Sequence, residues 1–497
     1  MARTRTGEGR AGAEGGAAGA AEEVDVVVLG MGPGGEEVAG RLASAGLDVV
    51  GVEAELLGGE CPYWACVPTK MMVRGADLLA EARRVRGMAG LAQVEPDWSP
   101  VASRIRDEAT TDWDDAAAVE RFTGKGGRFV RGRGRFTGPG EVEVESGEDG
   151  SASRVSRFRA RRGVVVATGS APWAPPVDGL DRVPYWTNRQ AVSATEAPPS
   201  LLVLGGGAVG LEMAQAFARF GTLVTVVETS RRLLSAEEPE SGELVERVLK
   251  ADGVTVWTHT TVKSARYSDA EGFVLDLEGD GELRARRLLV ATGRRPRLAG
   301  LGLEHLGIDP ASGSLRVDER MRAAPDVWAV GDVTGEGAFT HMAMYQADIA
   351  VRSILGEKGP EADYRAVPRV TFTDPEIAAV GLTEDLARER GLRLRTGTAQ
   401  VPATSRGWIH GTGNEGFLKL VEDADRGVLV GATAAGPAGG EILYGLAVAV
   451  RASLPVATLR EMIYAYPTFH RGVLDALNAL QAAGHTDEPR TKRSRWT

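Results

Sequence analysis

The sequence predicts an α/β protein: two doubly wound nucleotide-binding units in one chain, followed by an α+β unit. Three observations lead there. A short β-branched run near the start enters a glycine-rich turn and then a helical pattern. The same device recurs in the middle of the chain. From Pro368 the pattern changes to alternating strand-like runs followed by two helical patterns.

Residues 24–29 (VDVVVL) are a β-branched run, the pattern of a strand buried on both faces in a parallel sheet. They lead into Gly30-Met31-Gly32-Pro33-Gly34-Gly35, a helical pattern over about 36–45, and a second strand over 48–52 that ends at Glu53, 23 residues after Gly30. This is a dinucleotide fingerprint in its full context. Gly30 makes the tight turn, Gly32 admits a pyrophosphate, Gly35 lets helix and strand pack, and Glu53 accepts from ribose hydroxyls. The repeat has a strand at 201–204, Gly205-Gly206-Gly207-Ala208-Val209-Gly210, a helix to about Phe220, and a strand at 223–227 that ends at Glu228. Gly205, Gly207 and Gly210 take the same three roles. An acid at this strand end favours a free ribose 2′-hydroxyl, hence NADH over NADPH. Arg231 and Arg232 follow closely, and either one facing a 2′-phosphate would reverse that choice.

Further strand-to-turn junctions occur at 164–170 (VVVATGS), 289–296 (LVATGRRP) and 327–333 (VWAVGDV). Residues 352–367 read as a linker. Beyond Pro368 come the alternating runs, then helical patterns at 441–451 and 470–480.

At roughly 150 residues per domain, 497 residues suggest about three domains. A net charge of −10 argues against nucleic acid or an anionic membrane as the main partner. No apolar run reaches the ~18–20 residues of a spanning helix. Residues 1–23 are rich in Gly, Ala and Glu and lack an apolar signal segment. They read as a disordered, non-secretory extension, and a cytoplasmic protein is expected. The tail from Gly484 is polar and basic. Cys61 and Cys66 are the only cysteines, which excludes a disulfide-stapled scaffold and a Cys-rich metal site, and no metal is expected. A redox pair is still allowed.

Two dinucleotide fingerprints in this order, Cys61-Pro62-Tyr63-Trp64-Ala65-Cys66-Val67-Pro68-Thr69-Lys70, two Ala-Thr-Gly turns and the Gly331-Asp332 turn resemble a class I pyridine nucleotide–disulfide oxidoreductase. That family includes dihydrolipoamide dehydrogenase, glutathione and mycothione reductases, and mercuric reductase. The resemblance spans about 24–480. It implies a Rossmann-like FAD domain (24–172 and 286–355), an NAD(P) domain (173–285), a homodimerisation domain (365–483) and a flexible tail (484–497). It places Gly30, Gly32, Gly35, Glu53, Gly134, Thr168, Gly169 and Asp332 with FAD, and Gly205, Gly207, Gly210, Glu228 and Gly293 with the nicotinamide nucleotide. It makes Cys61 the thiol that exchanges with substrate, Cys66 the flavin-proximal thiolate, Lys70 the lysine near flavin N5 and Glu212 its acidic partner.

The chain departs from the family at its C-terminal H-x-H-P-T-x-x-E. Here the segment reads Tyr464-Ala465-Tyr466-Pro467-Thr468-Phe469-His470-Arg471. Tyr466 stands at the base and Arg471 at the glutamate that orients it, while His470 is a second candidate base. A tyrosine with a pKa of ~10 donates a proton near neutrality but is a poor base. Family geometry carries Tyr466 to Cys61 of a second subunit, with the Tyr466-Pro467 bond cis. The insert Pro62-Tyr63-Trp64-Ala65 also differs from the LNVG-like insert usual in the family, and its aromatics either shape a substrate pocket or pack. A third cysteine, needed for a metal-handling tail, is absent. The expected activity is that of an FAD-dependent NAD(P)H oxidoreductase, passing electrons from NADH through the Cys61/Cys66 disulfide to a small acceptor. An activated disulfide, a quinone or another electrophile fits. Dihydrolipoamide-type dithiol oxidation and a flavin-binding subunit of a larger assembly are the alternatives.

Overall fold

The computed structural model describes residues 20–147, 154–279 and 281–482. Residues 1–19 of the expected extension and the expected tail from Gly484 lie outside them. Val24, Val26, Val27, Val28 and Leu29 are all buried, which puts their strand, Glu22–Leu29, inside the first sheet. It pairs in parallel with Val49–Glu53 on one side and Arg154–Val166 on the other. The strand starts two residues before its apolar run, because Glu22 and Glu23 pair through their backbones with Phe158 and Arg159. The sheet order is Arg322–Ala324, Val327–Ala329, Arg154–Val166, Glu22–Leu29, Val49–Glu53, Arg128–Arg131. An antiparallel meander, Arg133–Gly138 and Glu141–Ser146, runs onto the first half of Arg154–Val166. Helix α1 (Pro33–Ser44) starts earlier than the sequence pattern, since Pro33 needs no N–H partner in the first turn. Helix α2 (Cys66–Arg84) begins on the second cysteine.

The second unit opens with a short helix, α3 (Asn188–Val192), and has a four-stranded parallel sheet ordered Thr255–Trp257, Leu223–Val227, Ser200–Leu204, Arg287–Val290. Helix α4 (Ala208–Arg219) follows its glycine turn. An antiparallel sheet of Val262–Ser268, Gly272–Leu277 and Glu282–Ala285 extends it. The chain then returns to the first sheet and forms helix α5 (Thr340–Leu355), which packs on α1. This helix continues past Arg352, where the linker was expected, because Ile354 is still core. Gly356, at φ +75°, ends it.

The C-terminal unit is a five-stranded antiparallel sheet ordered Pro368–Thr371, Glu376–Gly381, Val428–Gly436, Phe417–Asp423, Leu394–Gln400. Helices α6 (Gly439–Arg451) and α7 (Gly472–Ala482) bury their apolar sides on it. A short 3₁₀ turn, Phe469–Arg471, takes the first residues of the last helical pattern.

A buried charged seam joins the three units. Arg219 of α4 is 1% exposed and bonds Asp77 of α2 at 2.9 Å, Asp252 at 3.0 Å and Asp374 at 2.8 Å. Asp374 also holds Arg84 of α2 at 2.6 Å. A guanidinium this deep survives only with such partners. Among the described residues, no helix is long and apolar enough to cross a membrane.

Candidate active site

The two glycine turns are built alike. Gly30 (φ +91°) and Gly205 (φ +114°) occupy the left-handed region, where a Cβ would strike the carbonyls of Ala167 and Ala291. A Cβ on Gly35 or Gly210 would strike the carbonyl of Gly30 or Gly205. By contrast, a Cβ on Gly32 or Gly207 would meet nothing within 4 Å, so the middle of each turn faces open space. Each acid is fixed by the turn it serves. Glu53 accepts from Met31 N and Glu55 N, both at 2.8 Å, and Glu228 accepts from Gly206 N at 2.6 Å and Ser230 N at 2.7 Å. Burial opposes the charge on Glu228, but the backbone N–H groups of Ser230 and Gly206 outweigh it and hold its carboxyl below the ordinary value. A carboxylate has about four acceptor positions, so both acids keep capacity for ribose hydroxyls.

In front of the first turn lies a groove of about 680 Å³. Gly32, Glu53, Thr168, Gly169 and Asp332 line it, and so do Cys61, Cys66, Lys70 and Glu212. Gly134 is not in its lining: the residue sits on the strand Arg133–Gly138 with its α-carbon close against the Leu29 side chain. Asp332 is held by Ser170, whose Oγ donates to Oδ2 at 2.5 Å and accepts from Arg294 Nε at 2.7 Å. The open cradle, the acid and the volume of the groove fit a dinucleotide such as FAD.

Cys61 and Cys66 are free, half-buried thiols in the groove wall. Their mutual hydrogen bond pulls Cys66 down to about 6. The Thr340 hydroxyl, 3.4 Å from Cys66 Sγ, and the charge on Lys70 act the same way, against burial. That same bond, together with burial, pushes the Cys61 thiol up. Lys70 Nζ is 2.7 Å from Glu212 Oε2, and Glu212, 5% exposed, also accepts from Phe372 N at 2.9 Å. The ammonium lies 4.5 Å from the centroid of the Phe372 ring. The sequence pairing of Lys70 with Glu212 is thus met in space. Thr340 and Phe372 were not foreseen: each is a common residue type with no motif around it.

In the second cradle, Gly293 (φ +123°) faces open space. Arg232 is tied to the Leu234 and Ser235 carbonyls at 3.0 and 2.8 Å, while Arg231 is exposed. Tyr63 is buried, and Trp64 both stacks on Trp113 and lines the groove, so the insert packs and shapes the site together. Tyr466 is 71% exposed and donates to Ser405 Oγ at 3.1 Å, and the Tyr466-Pro467 bond is cis. Arg471 pairs with Asp475 at 3.0 Å, and His470 is exposed.

Comparison with known proteins agrees with this geometry. The family pattern described as pyridine nucleotide-disulphide oxidoreductase matches residues 24–347, and its dimerisation domain matches 367–477. The chain is 35% identical to a mercuric reductase of Streptomyces lividans, over 89% of this chain and 93% of that one. It is 34% identical to a dihydrolipoyl dehydrogenase of Chlorobaculum tepidum, over 93% and 98%. Among solved structures, LpdA from Mycobacterium tuberculosis superposes with a TM-score of 0.80 at 27% identity, covering 92% of this chain and 99% of that one. The HOCl-induced flavoprotein disulfide reductase RclA from Escherichia coli gives 0.79 at 26%, covering 91% and 99%. The family depends on FAD and works with NAD(P)H. Two nucleotide cradles, a cysteine pair beside the first and a matched dimerisation domain behind them make this protein an oxidoreductase of the pyridine nucleotide-disulphide oxidoreductase family.

Proposed function

We propose that this oxidoreductase couples NADH oxidation to the reduction of a small acceptor, using FAD bound in the groove and the Cys61/Cys66 pair. Bound FAD supplies two-electron transfer between nicotinamide and sulfur. The N-terminus of α1 and the open face of Gly32 receive its pyrophosphate, Glu53 a ribose, and Asp332 the ribityl chain. Lys70 sets its ammonium at the reacting end of the groove, and Glu212 pairs with it and holds it in place. Cys66 stands as the thiolate, while Cys61 holds the proton and meets the acceptor. At the second cradle Glu228 takes the adenosine ribose of NADH, and the engagement of Arg232 leaves it poorly placed for a 2′-phosphate.

Tyr466 of a second subunit reaches the Cys61 side and offers a hydroxyl, not an imidazole. An acceptor that needs little proton abstraction fits that group: an activated disulfide with a low-pKa leaving thiol, a quinone or another electrophile. Dihydrolipoamide-type oxidation needs a base to take the dithiol protons. Neither Tyr466 nor Arg471, which is held by Asp475, is one, and His470, the second candidate, is exposed and has no carboxylate to orient it among the described residues.

The observation that carries this reading is the Cys66 thiolate, in one groove with Lys70, Glu212 and the Gly32 cradle. Single serine variants test it. Cys61→Ser should keep FAD and NADH-driven flavin reduction but lose acceptor turnover. Cys66→Ser should lose the long-wavelength absorption of a thiolate beside oxidised flavin, and its persistence in that variant overturns the assignment.

A further inference from the structure

The turn that carries the two sulfurs is gripped by three side chains that none of the roles above uses. Residues 60–63 form a single helical turn, Glu60–Tyr63, which leaves the carbonyls at its end without helical partners. Side chains from distant segments take two of them in succession. Trp113 Nε1 donates to the Tyr63 carbonyl at 3.2 Å, and Asn188 Nδ2 donates to the Trp64 carbonyl at 2.6 Å and to Glu60 Oε2 at 3.2 Å. Arg189, beside Asn188 on α3, sets Nη2 2.5 Å from both Glu60 Oε1 and Glu55 Oε2. Its guanidinium also lies 5.3 Å from the centroid of the Trp64 ring. Trp113 stacks on the same ring at 5.4 Å and 20°.

The backbone behind Trp113 is unusual. Thr111, Asp112 and Trp113 have φ of +49°, +55° and +58°, and the π-helical turn Ile105–Ala109 precedes them. L-residues seldom enter this region singly, let alone three in succession. Such outliers persist where surrounding contacts over-determine them, and they concentrate at working sites. Here the contacts made at their end are those with Tyr63 and Trp64, inside the insert that separates the two sulfurs.

We propose that Asn188, Arg189 and Trp113 are positioning residues that hold residues 60–66 in the geometry where Cys61 and Cys66 meet, and thereby set the reduction potential of the pair. The proposal rests on the redox reading of Cys61 and Cys66. How readily a disulfide forms follows the effective concentration of one thiol at the other, which a fixed turn raises and a loose one lowers. Arg189 adds an electrostatic effect. It is the nearest of three arginines to Glu60, the neighbour of Cys61, with Arg294 at 3.6 Å and Arg297 at 4.0 Å behind it, and weakening that neutralisation disfavours a thiolate in the pair.

The test equilibrates the FAD-loaded protein with mixtures of dithiothreitol and its oxidised form, then counts alkylated cysteines. In that exchange the reagent dithiol gives up two electrons and two protons and closes to its cyclic disulfide. The bond between Cys61 and Cys66 opens, and one proton is released where Cys66 stays ionised. Asn188→Ala, Trp113→Phe and Arg189→Met should each shift the equilibrium about tenfold toward the dithiol, a potential about 30 mV higher for a two-electron couple. Trp113→Phe keeps an aromatic ring and drops the N–H, so it reports even if the arginine variant fails to fold. Arg189→Met should also raise the pH midpoint of Cys66 ionisation, by at most about one unit because Arg294 and Arg297 still face Glu60, and Glu60→Gln in that background should return it. Wild-type potentials in Asn188→Ala and Trp113→Phe overturn the proposal. If the wild-type protein forms no bond between Cys61 and Cys66 at any buffer ratio, the redox reading itself fails and the proposal falls with it.

Discussion

Cys66 is surrounded by groups that favour its ionised form: the Cys61 thiol, the Thr340 hydroxyl and the Lys70 ammonium. Burial opposes them and loses, so the thiol falls to about 6 from an ordinary value of ~8.5. Above pH 6 the thiolate is present, and it is lost as pH falls through that value. In the reduced protein the thiolate absorption should therefore titrate with a midpoint near 6. Lys70→Met and Thr340→Ala should each move that midpoint upward, because each removes a stabilising partner of the anion. A wild-type midpoint at about 8 or above would mean that burial dominates and that Cys66 is an ordinary thiol.

At the scale of elements, the chain uses one strand–turn–helix–strand device twice, with the acid locked to its own turn in both copies. In the second copy this geometry argues for NADH. Glu228 should repel a 2′-phosphate and Arg232 is already engaged, so kcat/KM should favour NADH clearly, and Glu228→Ala should erode the preference. Equal or better use of NADPH would show that Arg231 governs the choice. These units were legible in the sequence because the signal is local: glycine spacing, β-branched runs and an acid 23 residues on. The pairing of Lys70 with Glu212 was legible only through family resemblance, since 142 residues separate them. The contact of Cys66 with Thr340 spans 274 residues, and those of Asn188 with Glu60 and Trp64 span 128 and 124. No local pattern marks such residues, because only the packed sheets bring them together. The meander strands Arg133–Gly138 and Glu141–Ser146, with the first half of Arg154–Val166, escaped for another reason. Phe136, Val142, Val144 and Phe158 do alternate into the core, but the strands are short and their outer face is Arg and Glu, as where Glu143 holds Arg135 and Arg157, so the apolar signal is spread over three separate runs.

For the whole molecule, the C-terminal unit leaves Trp408, Tyr444, Ile463 and Tyr466 exposed, and Tyr444 also lines the groove that holds the sulfurs. Apolar side chains of this size at the surface mark a contact face, and the matched dimerisation domain says what covers it: a second copy of the chain. In the proposed function Tyr466 acts across that interface. Tyr466→Phe, which keeps the ring and removes the hydroxyl, should leave NADH-driven flavin reduction intact and lower acceptor turnover at least about tenfold, the scale of a hydrogen bond to a charged group. Unchanged turnover would remove Tyr466 from the chemistry, and full activity in a monomer would remove the cross-subunit arrangement. Whether sulfur and flavin form one electron store is decided by anaerobic titration of the FAD-loaded protein with NADH. Uptake of about two equivalents of NADH per FAD is expected, one for the flavin and one for the two-electron sulfur couple, with thiolate absorption at long wavelength after the first. Uptake that stops at one equivalent, with no such absorption, would contradict a shared store.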